Sequence, residues 1–417
     1  MRAYLDHAAT TPLRPEALAA MLPYLTEHFG NASGSHALAR RARRAVDEAR
    51  DDVARCLGCD PGELVFTSGG TEAANLAVLG ADGTVLCSAV EHDAVRNACR
   101  AAGGSVVPVG ATGVVDLDAL ADILGRAAAE AASGSGAAVG LVSVMLANNE
   151  VGTVQPLGEV AEVVRRHAPQ ARLHTDAVAA VGWMDVSAAT AGTDLVSISA
   201  HKFGGPKGVG ALVVRSGTTL RPVIHGGPQE RERRPGTLDV ASIVGMAAAL
   251  RCATGQREDT VRRVGALRDR LAAGLVAAVD GLRETVVPGT SPVTGGGLSA
   301  PPKLASSCHV CVDGVDQEEL LVLLDDQGVC ASAGAACASG ALEPSHVLLA
   351  MGLGARQARS ALRLTLGYSS TDDDVDHVLA VLPKAVERLR AGAGPGPVAP
   401  RRGPAGAAPG PGAPRFR

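Results

Sequence analysis

Ser199-Ala200-His201-Lys202 is followed at once by Phe203-Gly204-Gly205-Pro206-Lys207-Gly208. A lysine in a confined site loses its proton more readily than a solvated one. Deprotonated, it forms a Schiff base with a carbonyl compound. Ser199 and His201 could bind an anion beside it, and the glycines permit close backbone approach. Taken alone, a His-Lys pair is most simply solvated charge. Asp176 ends His174-Thr175-Asp176 and could pair with a protonated pyridine nitrogen, helping a ring act as an electron sink. Taken alone, it is more simply an N-cap or turn aspartate. Thr67-Ser68-Gly69-Gly70-Thr71 offers backbone amides and a helix N-terminus, the makings of a phosphate cradle. Cys337, set among Ala, Gly and Ser, is a nucleophile if ionised and a small packing residue if not.

These residues need elements to gather them. Strands are predicted at 64–66, 84–87, 139–146, 172–175, 194–199 and 209–214. Helices are predicted from 72, over 93–102 and over 157–167. Strands alternating with helices imply an α/β fold with a mainly parallel sheet. Ligands in such folds sit at the carboxyl ends of the strands, where the informative residues fall. Beyond about residue 255 the texture changes to a long helix (259–279), a strand (307–312), a helix (316–327), a strand (362–366) and a helix from 372. That reads as a smaller α+β domain.

Together these segments resemble the pyridoxal-phosphate enzymes of the class V aminotransferase family, above all the cysteine desulfurases of the NifS/IscS type. The resemblance spans about residues 3–390. It begins with Tyr4-Leu5-Asp6-His7-Ala8-Ala9-Thr10-Thr11-Pro12 and continues with Gly30-Asn31-Ala32-Ser33 and His36. Its most specific part is Ser332-Ala333-Gly334-Ala335-Ala336-Cys337-Ala338-Ser339-Gly340 with Leu342-Glu343-Pro344-Ser345-His346, similar to the loop around the desulfurase nucleophile. The resemblance implies fold type I, with a large cofactor domain at 16–255. A small domain would combine 1–15 with 256–390 and carry the Cys337 loop. It implies pyridoxal 5'-phosphate on Lys202, with Asp176 at the ring nitrogen and His92 stacked on the ring. Gly70, Thr71, Ser199 and His201 would hold the phosphate, and Thr237 would reach the partner's phosphate across a homodimer. Asn149 would sit by the cofactor oxygen and the substrate carboxylate. Arg363 would clamp that carboxylate bidentately. Cys337 would take sulfur from L-cysteine as a persulfide, leaving L-alanine, and pass it to an acceptor protein such as an iron–sulfur scaffold or a thiolation enzyme. Related readings are another class V aminotransferase, a selenocysteine lyase, or a non-catalytic interaction protein on the same fold.

The chain also departs from the family pattern. Ala179 stands where a glutamine usually hydrogen-bonds the ring oxygen. Ala335 replaces a serine, and Pro228, Glu232 and Pro235 interrupt the segment 226–237.

Composition narrows the field. The 417 residues carry 39 Lys and Arg against 43 Asp and Glu, a net of −4, and 2% aromatics. No general basic surface or base-stacking platform for nucleic acid is expected. The start of the chain has no signal-like apolar core and no run is long enough to span a bilayer, so a cytoplasmic protein without membrane contact is expected. Nine cysteines then read as free thiols. The pairs Cys56/Cys59 and Cys308/Cys311 are far apart in sequence, and no metal site is expected. Arg40, Arg41, Arg43 and Arg44 read as the solvated face of a helix whose apolar positions include Leu38, Val46, Val53 and Leu57. Residues 289–302 read as a surface loop. Residues 391–417, with seven Gly and seven Pro, read as a disordered tail.

Overall fold

The computed structural model describes residues 2–287, 302–334 and 344–392. Cys337, Ala335, almost all of the 289–302 segment and the tail beyond Gly392 lie outside the described residues.

Among the described residues, seven strands form the main sheet: β1 (Leu64–Thr67), β2 (Thr84–Ser88), β3 (Ser105–Val107), β4 (Val139–Ser143), β5 (Arg172–Asp176), β6 (Leu195–Ser199) and β7 (Gly210–Val214). Their order is β1-β7-β6-β5-β4-β2-β3. Only β7 runs against its neighbours, pairing antiparallel with β1 and β6. The other pairs are parallel.

The strand sequences explain why this sheet is covered on both faces. Side chains alternate across a strand, so a sheet packed on both sides needs apolar residues at successive positions. Leu64, Phe66, Val142, Val196, Ile198, Ala211 and Val213 enter one core. Val65, Leu141, Leu195, Leu212 and Val214 enter the core on the other face.

Two sequence expectations need correcting here. The ladder of β4 ends at Ser143 rather than at 146. Val144 and Leu146 nevertheless stay buried and donate to the carbonyls of His174 and Asp176, which carries the extended chain to the turn at Asn148. Leu38, assigned to the apolar face of the Ala37–Leu57 helix, is exposed, whereas Val46, Val53 and Leu57 are in the core. The four arginines of that helix, Arg40, Arg41, Arg43 and Arg44, face solvent as expected. Its ends are fixed locally. His36 Nδ1 accepts from the Ala39 amide, a side-chain cap. Gly58 takes the left-handed φ of 63° that ends the helix.

A second core joins Ala3 and Leu5 to the Arg257–Ala278 and Asp372–Gly392 helices, which begin at or near the predicted positions. It also takes in a three-stranded antiparallel sheet of Leu282–Glu284, Ser307–Val312 and Ala361–Thr365, with Ser307–Val312 in the middle. Ala3–Tyr4 pairs parallel with Val329–Cys330. The start of the chain is thereby tied to its last third. Cys308 and Cys311 lie in the central strand of this sheet but enter different apolar clusters, as their spacing of three in a strand requires. No cluster of three or more potential metal ligands occurs among the described residues. No described helix is long and apolar enough to cross a membrane.

Candidate active site

A cavity of about 390 Å³ opens where the carboxyl ends of the main-sheet strands meet the second core. Its size suits a cofactor with a small substrate. Gly70 and Thr71 reach it from the end of β1, His92 from beyond β2, and Asn149 from the turn after β4. Asp176 ends β5, and Ser199, His201 and Lys202 follow from β6. Arg363 comes from the smaller sheet. The structure therefore brings every expected site residue to one cavity except Thr237 and Cys337. Thr237 is exposed and does not line the cavity of its own chain. Cys337 lies outside the described residues.

Lys202 closes the short 3-10 turn Ala200–Lys202. Its Nζ donates to the carbonyls of Ala8 and Ala9, the second at 2.9 Å. The same N-terminal segment meets His201, whose Nδ1 lies 3.1 Å from Thr10 Oγ1 and whose carbonyl accepts from Thr11. Burial lowers the His201 pKa to about 4, and Lys202 and Lys207 add to this, so the ring is neutral near pH 7.

Asp176 is a turn aspartate that also lines the cavity. Its Oδ1 accepts from the Val178 amide at 2.8 Å, while the carboxyl group lines the cavity. That bond two residues along the chain is an aspartate turn. Burial raises the Asp176 pKa above the usual carboxylate value, and His92, the Val178 amide, Lys202 and Ser197 work the other way. His92 caps the Asp93–Ala101 helix, with Nδ1 accepting from the Ala94 amide at 3.1 Å.

The cradle at Gly69-Gly70-Thr71 depends on missing side chains. Gly69 has φ 148°, a conformation open in practice only to glycine. A Cβ on Gly210 would stand 2.8 Å from the Gly69 backbone, and one on Gly70 would stand 2.9 Å from Val178 Cγ2. Ser199 faces Gly70 across this space, its Cβ 3.5 Å from where that Cβ would be.

Arg363 is 1% exposed. Nη2 pairs with Asp6 Oδ1 at 2.8 Å, and Nη1 donates to the carbonyls of Asn149 and Gly334, each at 3.2 Å. Its Nε has no hydrogen-bond partner among the described residues. A buried guanidinium that lines a cavity suits a ligand carboxylate. Ala179 lines the cavity with no side-chain donor, and Trp183, the chain's one tryptophan, lines it too.

Several supporting residues were invisible to sequence reasoning. Asn148 shapes the turn that presents Asn149: its Oδ1 accepts from the amides of Glu150 and Val151, and its Nδ2 donates to the Val90 carbonyl. Glu91 is fully buried at the cavity wall, with Oε1 accepting from the Met145 amide at 2.7 Å. Burial, then the charge of Asp176, pushes its pKa well above the carboxylate range. His174 bridges Ser143 Oγ at 2.8 Å and Ser197 Oγ at 3.2 Å, so these groups form one buried chain behind Asp176. The nearest sequence signal was the adjacency of Glu91 to His92 and the closeness of His174 to Asp176.

Burial lowers the His174 pKa to about 3. Between that value and the ordinary 6.5 the unfolded chain binds a proton that the folded chain does not. Stability from this residue is therefore full above about pH 6.5 and is lost as pH falls toward about 3. Compared with His174→Gln, the wild-type protein should lose about 1.4 kcal/mol more per pH unit below about 6.5. Urea unfolding at neutral and at mildly acidic pH measures the difference. Parallel pH dependence in the two proteins would contradict a neutral His174.

The comparisons with known proteins agree with this geometry. The Aminotransferase class-V family model matches residues 3–378. An IscS-like cysteine desulfurase of Mycobacterium tuberculosis is 42% identical, over 94% of this chain and 98% of its own. A cysteine desulfurase of Cereibacter sphaeroides is 43% identical, over 94% and 97%. A solved NifS-like protein superposes with a TM-score of 0.80 at 33% identity, covering 93% of this chain and 99% of its own. The chain belongs to the class V aminotransferase family. Within that family it is one of the cysteine desulfurases, enzymes that work with pyridoxal phosphate.

Proposed function

We propose that this chain binds pyridoxal 5'-phosphate in the cavity and converts L-cysteine to L-alanine, with the sulfur taken up by Cys337. Arg363 carries the reading, because a buried guanidinium that lines the cavity suits the carboxylate of an amino-acid substrate. Gly70, Thr71, Ser199 and neutral His201 hold the phosphate. Asp176 would hold the ring nitrogen and His92 would cover the ring. When bound, the cofactor supplies an electron sink for charge developing at the substrate Cα. Lys202 would hold the cofactor covalently, and its amine would move the proton at the substrate Cα. Asn149 and Arg363 orient the substrate carboxylate. The Cys337 thiolate meets the substrate sulfur, since the thiolate is the nucleophilic form.

Three further readings accompany this one. The large unit spans 16–255, and the small unit combines 1–15 with 256–390. The active form is a homodimer, supported by Thr237 standing exposed off its own cavity. An apolar row also supports it, with Leu18 50%, Leu22 54%, Leu25 59% and Phe29 72% exposed. Apolar patches of this kind mark interaction surfaces. The persulfide passes to an acceptor protein in the cytoplasm, an iron–sulfur scaffold or a thiolation enzyme.

The test is to supply the cofactor-loaded protein with L-cysteine and a thiol reductant, then quantify both products. Equal amounts of alanine and sulfide are expected. Pyruvate or an amino-group transfer product without sulfide would overturn the reading in favour of another reaction of the family.

A further inference from the structure

Arg234 meets Glu72 in a two-pronged ion pair, with Nε 2.8 Å from Oε1 and Nη2 3.3 Å from Oε2. Glu72 lies in the first turn of the Gly70–Leu79 helix, the helix whose N-terminus forms the phosphate cradle. Its Oε2 also accepts from the Ser68 amide at 2.6 Å. The carboxylate therefore spans the cradle loop from Ser68 to the helix. Burial alone would raise the Glu72 pKa, but the hydrogen bonds from Arg234 and Ser68 outweigh it and hold the group ionised.

A carboxylate in this place stabilises the helix N-terminus. It also competes with a phosphate for the same positive end and repels it. Arg234 removes that conflict. The Arg234 and Glu72 side chains are mostly shielded from solvent, at 22% and 16% exposure. Salt screens a pair of this kind much less than an exposed one.

The backbone leading to Arg234 is built to hold it there. Glu230, Arg231 and Glu232 all have left-handed φ, at 48°, 57° and 64°, and none is glycine. Such residues persist only where surrounding contacts over-determine them. Here the Glu230 carboxylate is buried between Arg50 and the Phe66 amide (2.8 Å), and Arg50 also donates to the Leu64 carbonyl. Leu64 and Phe66 belong to β1, the strand that feeds the cradle. The 230–234 turn is thus fastened twice to one phosphate-binding unit, once at its strand and once at its helix.

We infer that Arg234 is a positioning residue for the cofactor phosphate: by neutralising the Glu72 carboxylate at the cradle helix, it lets the cradle accept a dianion. The inference rests on the pyridoxal-phosphate reading above. The experiment measures the dissociation constant of pyridoxal phosphate by equilibrium dialysis for wild type, Glu72→Gln, Arg234→Ala and the double variant. Arg234→Ala should weaken binding about tenfold or more, because it leaves an unpaired carboxylate beside the phosphate. Glu72→Gln should bind as tightly as wild type or tighter, and adding it to Arg234→Ala should restore most of the loss. A merely structural clamp predicts the opposite: either single change weakens binding and the double change does not recover it. That pattern, or wild-type binding by Arg234→Ala, would overturn the inference. Should Arg234→Ala fail to fold, weaker binding by Glu72→Gln alone overturns it and unchanged or tighter binding supports it. Wild-type protein that binds no pyridoxal phosphate would instead refute the cofactor reading itself.

Discussion

Lys202→Ala should abolish borohydride-stable attachment of the cofactor and lower alanine formation by a factor of about a thousand or more. The expectation follows from the composition of the cavity wall: Lys202 is the one lysine among the described residues lining it. A carbonyl cofactor needs an amine nucleophile, and the same group is proposed to carry the Cα proton. A positioned general base alone contributes about 10²–10⁴-fold. Arginine cannot replace it, since a guanidinium stays protonated. Lys202→Arg should therefore fail as Lys202→Ala does. The cradle proposed for the phosphate at Gly70, Thr71 and Ser199 does not involve the amine, so both variants should still take up the cofactor non-covalently. Mass spectrometry after borohydride treatment and an alanine assay give the two readouts. Alanine formation within tenfold of wild type in Lys202→Ala would mean that another group moves the proton.

How much of this site was legible in the sequence depends on how local each part is. Gly70, Asp176 and Lys202 each lie at or just past the end of a main-sheet strand, and strand ends converge by topology. Three short motifs far apart in the chain could therefore be assigned to one cleft without coordinates. Arg363 could not be placed that way. It arrives from a different sheet, and its approach depends on Asp6, Asn149 and Gly334, which no periodicity links. Only the family resemblance marked it. Glu91 and His174 look like ordinary residues in sequence, because a buried polar group is recognised by its partners. Theirs are Met145, Ser143 and Ser197. The carbonyls of Ala8 and Ala9 that receive Lys202 carry no side-chain signal at all.

The fold shows the same division. Alternating cores on β1 and β7 follow directly from unbroken apolar runs. The reversed direction of β7 was not legible, since residues of a buried strand look alike whichever way it runs. Edge strand β3 was missed because its Ser105 and Val106 are exposed and three residues give no pattern. The left-handed run at Glu230 to Glu232 contains none of the glycine that usually announces such backbone, and it exists only because Arg50 and β1 hold it.

Replacing Cys337 by serine should stop turnover while leaving cofactor binding and substrate recognition intact. Cys337 lies outside the described residues, but both flanks of its segment are tied to the cavity. Gly334 lines the cavity and its carbonyl accepts from Arg363 Nη1. On the other flank, Ser345 Oγ donates to Glu150 Oε2 at 2.5 Å, a carboxyl group whose pKa is raised by burial. Glu150 Oε2 also stands 3.1 Å from where a Cβ on Gly334 would be, so one carboxyl group lies beside both flanks. Serine preserves the size and polarity of the side chain but lacks an accessible anion, so attack on the substrate sulfur fails at the step that needs a thiolate. Alanine and sulfide should each fall by about a thousandfold or more, the scale on which losing a covalent nucleophile acts. Addition of L-cysteine should still change the cofactor absorbance of Cys337→Ser, because Arg363, Asn149 and Lys202 are untouched. If the serine variant released alanine and sulfide at the wild-type rate, the sulfur would leave without Cys337, and the chain would be a lyase that retains a desulfurase fold.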